Sequence, residues 1–230
     1  MSQTYAPGWR ERRSSRGCPT RHRRADSDRW ALTQTIRNNR LNIPPGKIII
    51  INGPSSSGKT TLALALQNQL DLPFIRFSFD LFLDHKALPS EQIKSGKFSW
   101  DLMRPAVFRG IQQCLPALTR AGNNMIFDHI IETKAWLYDL ISMISELDAF
   151  FVGLHCSLPE LERREIERGN RRKGEARQDF QTVHGITLYD LELNSEQPLE
   201  ENVRTLIQAW KKRNWPSALD RMLEEQNAQK

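Results

Sequence analysis

The eight residues Gly53-Pro54-Ser55-Ser56-Ser57-Gly58-Lys59-Thr60 combine two glycines, four hydroxyls and a lysine, the chemistry needed to grip phosphate. Their spacing fits G-x-x-x-x-G-K-[ST] at every fixed position. Gly53 and Gly58 permit backbone angles and close approaches that a side chain would block. The N–H groups of such a loop turn inward and cradle phosphate oxygens, helped by the positive end of the helix that comes next. Lys59 can then reach the β- and γ-phosphates, and the Thr60 hydroxyl can bind Mg2+. Pro54, Ser55, Ser56, Ser57 and Thr61 complete this candidate binding set. The plain alternative is a chance glycine-containing turn. The flanks oppose it: Ile48 to Ile51 is an unbroken β-branched run, and Thr60 to Leu66 is rich in helix formers.

A phosphate loop implies a bound nucleotide, not a reaction, so the reaction depends on carboxylates and cations at neighbouring strand ends. Asp80 stands just past the expected end of the second strand. There it can face a γ-phosphate and take the proton of an acceptor hydroxyl, or it can cap a turn. Asp84, four residues on, is the rival base if the segment is helical. Asp128 closes the apolar run Asn124-Met125-Ile126-Phe127, the shape of an acid that holds Mg2+ directly or through water, or of an ordinary strand-end turn. Residues 163–177 hold seven basic side chains against three glutamates. Arg164, Arg168 and Arg172 recur every fourth residue and share one helical face. Such a cluster is either a lid whose guanidinium forks close over phosphate, or a solvated helix laced by pairs such as Glu160–Arg164. Phe79, Phe82, Phe98 and Trp100 either wall an aromatic acceptor pocket or are plain core.

The elements that position these groups alternate. Strands are expected at Lys47–Asn52, Pro73–Phe77, Asn124–Asp128, Ala149–Cys156 and Tyr189–Leu193. Helices are expected from the phosphate loop to about Leu70, then over Trp100–Arg120, Lys134–Leu147, a stretch ending near Arg168, Leu199–Lys212 and about Ser217–Gln226. The helix with Pro105 and Pro116 is expected to bend or break at them. Leu81–Ser99 reads as a looser stretch. Ser157-Leu158-Pro159-Glu160 reads as a reciprocal helix cap. The polar loop after the last strand, near Ser195, either borders a nucleotide base or simply ends a strand.

The net charge of +6 divides unevenly. Residues 1–40 hold ten arginines against Glu11, Asp26 and Asp28, a local +7 that leaves −1 for the rest. The folded part therefore has little electrostatic grip on nucleic acid. Residues 1–43 read as a disordered basic tail before a domain at 44–230 that starts near Pro44-Pro45-Gly46. The tail is a solvated appendage, an arm for nucleic acid or another anionic surface, or upstream sequence joined to the chain. No apolar run reaches about 18 residues, so no membrane helix is expected. Cys18, Cys114 and Cys156 lack ligand spacing and fit a reducing, cytoplasmic setting.

Together, the motifs Ile50-Ile51-Asn52-Gly53, Gly58-Lys59-Thr60, Phe77-Ser78-Phe79-Asp80, Ile126-Phe127-Asp128 and Phe151-Val152-Gly153-Leu154-His155-Cys156 carry a resemblance. So do Arg164-Glu165, Arg168-Gly169-Asn170-Arg171, His184 and Tyr189-Asp190-Leu191-Glu192. In order and spacing, Lys47 to about Trp210 resembles the chloramphenicol phosphotransferase family of phosphate-loop kinases. The resemblance implies transfer of the γ-phosphate of ATP, with Mg2+, to a small-molecule hydroxyl. It places Asp80 on the family's catalytic base, Lys59 on its loop lysine, and Arg168 and Arg171 on its lid arginines. His129 departs from the pattern, since the best-known member has a second acid there. Leu81–Ser99 departs too, being shorter and unlike.

The expected architecture is a doubly wound α/β domain. Its five-stranded parallel sheet runs in order 2-3-1-4-5, with helices on both faces and an arginine-rich lid. The expected nucleotide-site residues are Gly53 to Thr61 and Arg164, with Thr60 and Asp128 on the metal. Asp80, Lys59, Arg168 and Arg171 carry the chemistry. Two other classes remain: a kinase or NTPase acting on a nucleoside, sugar or polynucleotide end, with the tail as a nucleic-acid arm, and a nucleotide-binding regulator without catalysis. The intact Lys59, Thr60 and Asp80 argue against the last.

Overall fold

A computed structural model describes residues 43–84, 87–169 and 174–228, apart from the side chains of Leu83 and Asp84. The chain divides after Ile43, and every strand and helix named here belongs to the unit from Pro44 onward. The tail expected over 1–43 thus lies outside the described residues, save Ile43.

The strands are β1 (Lys47–Asn52), β2 (Phe74–Ser78), β3 (Asn124–His129), β4 (Asp148–His155) and β5 (Leu191–Asn194). They form one sheet in order β2-β3-β1-β4-β5, and every pairing is parallel. The run Ile48-Ile49-Ile50-Ile51 explains why the sheet is covered on both sides. Side chains alternate along a strand. Ile48 and Ile50 enter one core with Met125, Phe127 and Phe151, and Ile49 and Ile51 enter the other with Ile126, Phe150 and Val152. All four isoleucines are fully buried, worth roughly 1.5–3 kcal/mol each against exposure.

Helices supply the other half of each core. On the Ile48/Ile50 face lie α4 (Trp100–Arg120), α5 (Lys134–Ile144) and α9 (Ala218–Ala228), through Leu115, Leu140 and Leu219 among others. On the opposite face lie α1 (Lys59–Gln67) and α8 (Leu199–Lys211), through Leu66 and Leu206. The loose stretch between β2 and α4 contains two short helices, α2 (Asp80–Asp84) and α3 (Ser90–Lys94). The remaining pair, α6 (Leu158–Arg168) and α7 (Glu175–Thr182), packs together after β4.

Three local expectations change. Helix α4 runs unbroken through Pro105 and Pro116. Each proline removes one N–H from the helix ladder. Burial of Phe108, Ile111 and Leu115 against the sheet holds the helix together regardless. The reciprocal cap at Ser157 does not form. Glu160 is drawn to Arg163 and Arg164, while the Ser157 N–H donates to Glu196 Oε1 at 2.8 Å. Finally, the basic segment contains α7, which sequence periodicity did not reveal.

Candidate active site

The C-terminal ends of β1, β2, β3 and β4 bring the candidate groups to one edge. Chain order reverses there, with β1 lying between β3 and β4. Register places Asp128 beside Ile51 on one side and Ser78 on the other. A cavity of about 820 Å³ opens above this edge. It is lined by Ser55 to Thr61, Asp80, Asp128, Arg164 and Arg168.

Loop geometry bears out the glycine argument. A Cβ on Gly53 would lie 2.5 Å from the Leu154 carbonyl oxygen, and Gly58 holds φ at +94°. Ser56 adopts φ of 64°, unusual for a residue with a side chain and typical of strained functional loops. The Ser56 and Ser57 hydroxyl oxygens are buried and meet no partner among the described residues. Buried polar atoms left this way cost free energy unless a ligand satisfies them, so the loop suits phosphate oxygens. Lys59 Nζ donates to the Pro54 carbonyl oxygen at 2.7 Å.

One donor of the cradle is already taken. Asp179 of α7, itself buried, accepts the Ser55 N–H at 2.8 Å through Oδ2. Burial pushes the Asp179 carboxyl up to about 6, against the lowering pull of the Ser55 N–H and Lys59. Glu132 and Glu175 push the same way as burial. Helix α7 is in turn fixed by Glu165 of α6, whose carboxylate accepts the N–H groups of Gly174 and Ala176 at 2.8 and 2.9 Å. In the sequence Asp179 has no marked role and Glu165 only a place in the motif Arg164-Glu165, because an acid in or beside a basic run reads as a surface charge.

Asp128 is buried and paired. Arg76 of β2 forks onto it, Nε to Oδ1 and Nη2 to Oδ2, both at 3.0 Å. The Thr60 hydroxyl donates to Oδ2 at 2.9 Å. Burial raises the Asp128 carboxyl above its ordinary range, and the Arg76 guanidinium opposes this most. The two residues expected on the metal, Thr60 and Asp128, therefore meet directly, and Arg76 was missed. Its signal was present: an arginine in an otherwise apolar strand needs a buried anion.

Asp80 opens α2 and lies in the cavity wall, its N–H donating to Ser78 Oγ at 3.1 Å. Asp84 closes the same short helix. Next to Asp80 sits His129, enclosed by the rings of Phe127, Phe108 and Phe79 at 5.1, 5.7 and 6.1 Å. Burial first, then Lys59 and Arg104, hold His129 down at about 4 although Asp80 raises it, so the ring is neutral at pH 7. Of the expected aromatic wall, Phe79 and Trp100 line the cavity. Phe82 instead packs edge-on against Phe77, and Phe98 is exposed beside Lys97.

Arg164 ties the loop to the end of β5. Its Nη1 donates to the Ser57 carbonyl at 3.3 Å and to Ser195 Oγ at 3.1 Å, and its Nε to Glu160 at 2.6 Å. Ser195 therefore does border the cavity. Arg163 points away and pairs with Glu160 and Glu167, as a solvated helix face does. Arg168 lines the cavity from the last turn of α6, while Arg171 and Arg172 lie outside the described residues. Nearby, Asn52 donates to the Tyr189 hydroxyl at 2.9 Å and accepts the Ile131 N–H, which braces the end of β1.

A phosphate loop at the reversal point of a parallel 2-3-1-4-5 sheet defines a phosphate-loop kinase. Residues 46–211 match the family described as chloramphenicol phosphotransferase-like protein, and the chain belongs to that family. It is 31% identical over 202 residues to a Mycobacterium tuberculosis protein named "Putative O-phosphotransferase", covering 78% of this chain and 89% of that one. Two solved structures share the fold. The M. tuberculosis APS kinase in complex with AMPPNP and APS has TM-score 0.55 and 16% identity, over 73% of this chain and 99% of that one. A sugar kinase from Janibacter sp. has TM-score 0.54 and 19% identity, over 73% and 95%. The protein is a kinase-type phosphotransferase. No described helix is long and apolar enough to cross a membrane.

Proposed function

We propose that the protein moves the γ-phosphoryl group of ATP to a hydroxyl of a small molecule, in the manner of chloramphenicol phosphotransferase. The observation that carries this reading is Asp80 in the wall of the same cavity as the phosphate loop and Lys59. Thr60 would hold Mg2+ directly, and Asp128, with both oxygens engaged, through a water. Bound Mg2+ supplies neutralisation of phosphate charge.

The chain's own groups do the rest. Asp80 takes the proton of the acceptor hydroxyl as its oxygen bonds to the γ-phosphorus. The bond from that phosphorus to the β–γ bridging oxygen breaks, and ADP leaves. Lys59 and the loop N–H groups stabilise the charge carried by the transferring and leaving groups. Arg164 braces the loop, and Arg168 and Arg171 form a lid that excludes water. The setting is cytoplasmic, and the catalytic domain spans residues 44–230.

The experiment is incubation with Mg·ATP and a panel of chloramphenicol, nucleosides and sugars, read by mass spectrometry. A phosphate increment on an acceptor is the expected result. ATP binding with no phosphorylated acceptor across the panel and a metabolite extract would overturn the reading.

A further inference from the structure

The acceptor side of the cavity contains a charged pair that the phosphate chemistry does not use. Arg104 of α4 meets Glu132, in the segment after β3, with Nη2 at 2.8 and 3.1 Å from its two carboxylate oxygens. Both line the same cavity as Asp80. The guanidinium is fixed from behind, 4.6 Å from the Phe108 ring centre and 4.9 Å from that of Trp136. Phe79 packs against Phe108 at 3.9 Å and, 6.4 Å from the Trp100 ring centre, continues this aromatic wall with its rings tilted against one another.

A structural role explains this pair poorly. Each side chain is one-third exposed, and ion pairs of that exposure contribute only about 0–1 kcal/mol to stability. Nη2 alone engages Glu132, and Nε and Nη1 make no hydrogen bond among the described residues. Stacked arginine forks of this kind are held ready to donate. A fixed donor beside a fixed acceptor reads a partner that both accepts and donates, as neighbouring hydroxyls do.

Charge narrows the partner further. Of the arginines lining the cavity, Arg164 is tied to Glu160 and the phosphate loop and Arg168 ends α6, while Arg104 is already paired by Glu132, and Asp80 adds a second carboxylate. Lys59 belongs to the phosphate loop, and the nucleotide adds negative charge close by. A carboxylate or phosphate on the acceptor would meet like charge at short range.

We propose that Arg104 and Glu132 are the specificity pair for the acceptor, and that the acceptor is an uncharged molecule presenting neighbouring hydroxyls beside an apolar part. This rests on the proposed phosphotransferase activity and names its substrate class.

The test splits a metabolite extract by ion exchange into anionic, cationic and uncharged fractions. Chloramphenicol, methyl glucoside and myo-inositol are added to the uncharged fraction, and gluconate and glucose 6-phosphate to the anionic one. Each fraction is incubated with the full-length protein and γ-labelled Mg·ATP. Labelled product from the uncharged fraction is expected. Product from the anionic or cationic fraction alone overturns this inference and leaves the phosphotransferase reading intact. Label in no fraction removes both. With the labelled acceptor in hand, Glu132→Gln and Arg104→Met should each raise the acceptor KM at least about tenfold, with the KM for ATP unchanged. Glu132→Gln should also improve relative use of anionic analogues. A pair that is merely structural would lower the unfolding midpoint and leave acceptor KM and selectivity as they are.

Discussion

Asp128 stays buried because Arg76 meets it with two hydrogen bonds. Removing one partner of a buried pair leaves the other charge uncompensated, which costs about 3–5 kcal/mol. Arg76→Met should lower unfolding stability in urea by roughly that amount, and adding Asp128→Asn should recover much of it. An Arg76→Met protein as stable as the parent would refute the pairing. The same two residues show what sequence can reveal. Asp128 was legible because an apolar strand ending in an acid is a local pattern. Its partner stands 52 positions earlier on another strand, and only the sheet order makes them neighbours. Arg104 and Glu132 were hidden for the same reason, since neither has a local pattern and their helix and loop meet only after folding.

At the scale of elements, α6 and α7 form a unit docked on the phosphate loop through Arg164 and Asp179. The Asp179 carboxyl keeps its proton up to about 6, whereas an unfolded aspartate loses it near 3.8. Between those values the native chain binds more protons than the unfolded chain, so stability must fall as pH rises. The contribution is full below the unfolded value and lost above the folded one, by up to about 3 kcal/mol. Asp179→Asn keeps an oxygen for the Ser55 N–H and should flatten this slope, measured as unfolding free energy against pH. Curves of equal slope for mutant and parent would contradict it. Glu165→Ala should loosen α7, costing about 1–3 kcal/mol and speeding proteolysis between α6 and α7. Unchanged cleavage would count against its capping role. Helix α7 escaped the sequence reading because its charges give no apolar stripe and its first turn is capped by Glu165 from another helix.

For the whole molecule, the two-sided sheet was the most legible feature. Four consecutive isoleucines cannot be half-exposed, so the strand had to be central, and the alternating elements then implied helices on both faces. The unit from Pro44 onward holds both cores and the cavity. A chain of residues 44–230 should therefore unfold in urea within about 0.5 kcal/mol of the full chain and keep its phosphotransfer rate. A collapse of either would give residues 1–43 a structural or catalytic share. The central claim remains phosphoryl transfer with Asp80 as base, and one comparison tests it most directly. Asp80→Asn and parent protein are measured side by side for ATP affinity and for phosphate transfer to the acceptor. The account predicts unchanged ATP affinity and transfer reduced at least about 100-fold; transfer at the parental rate would contradict it.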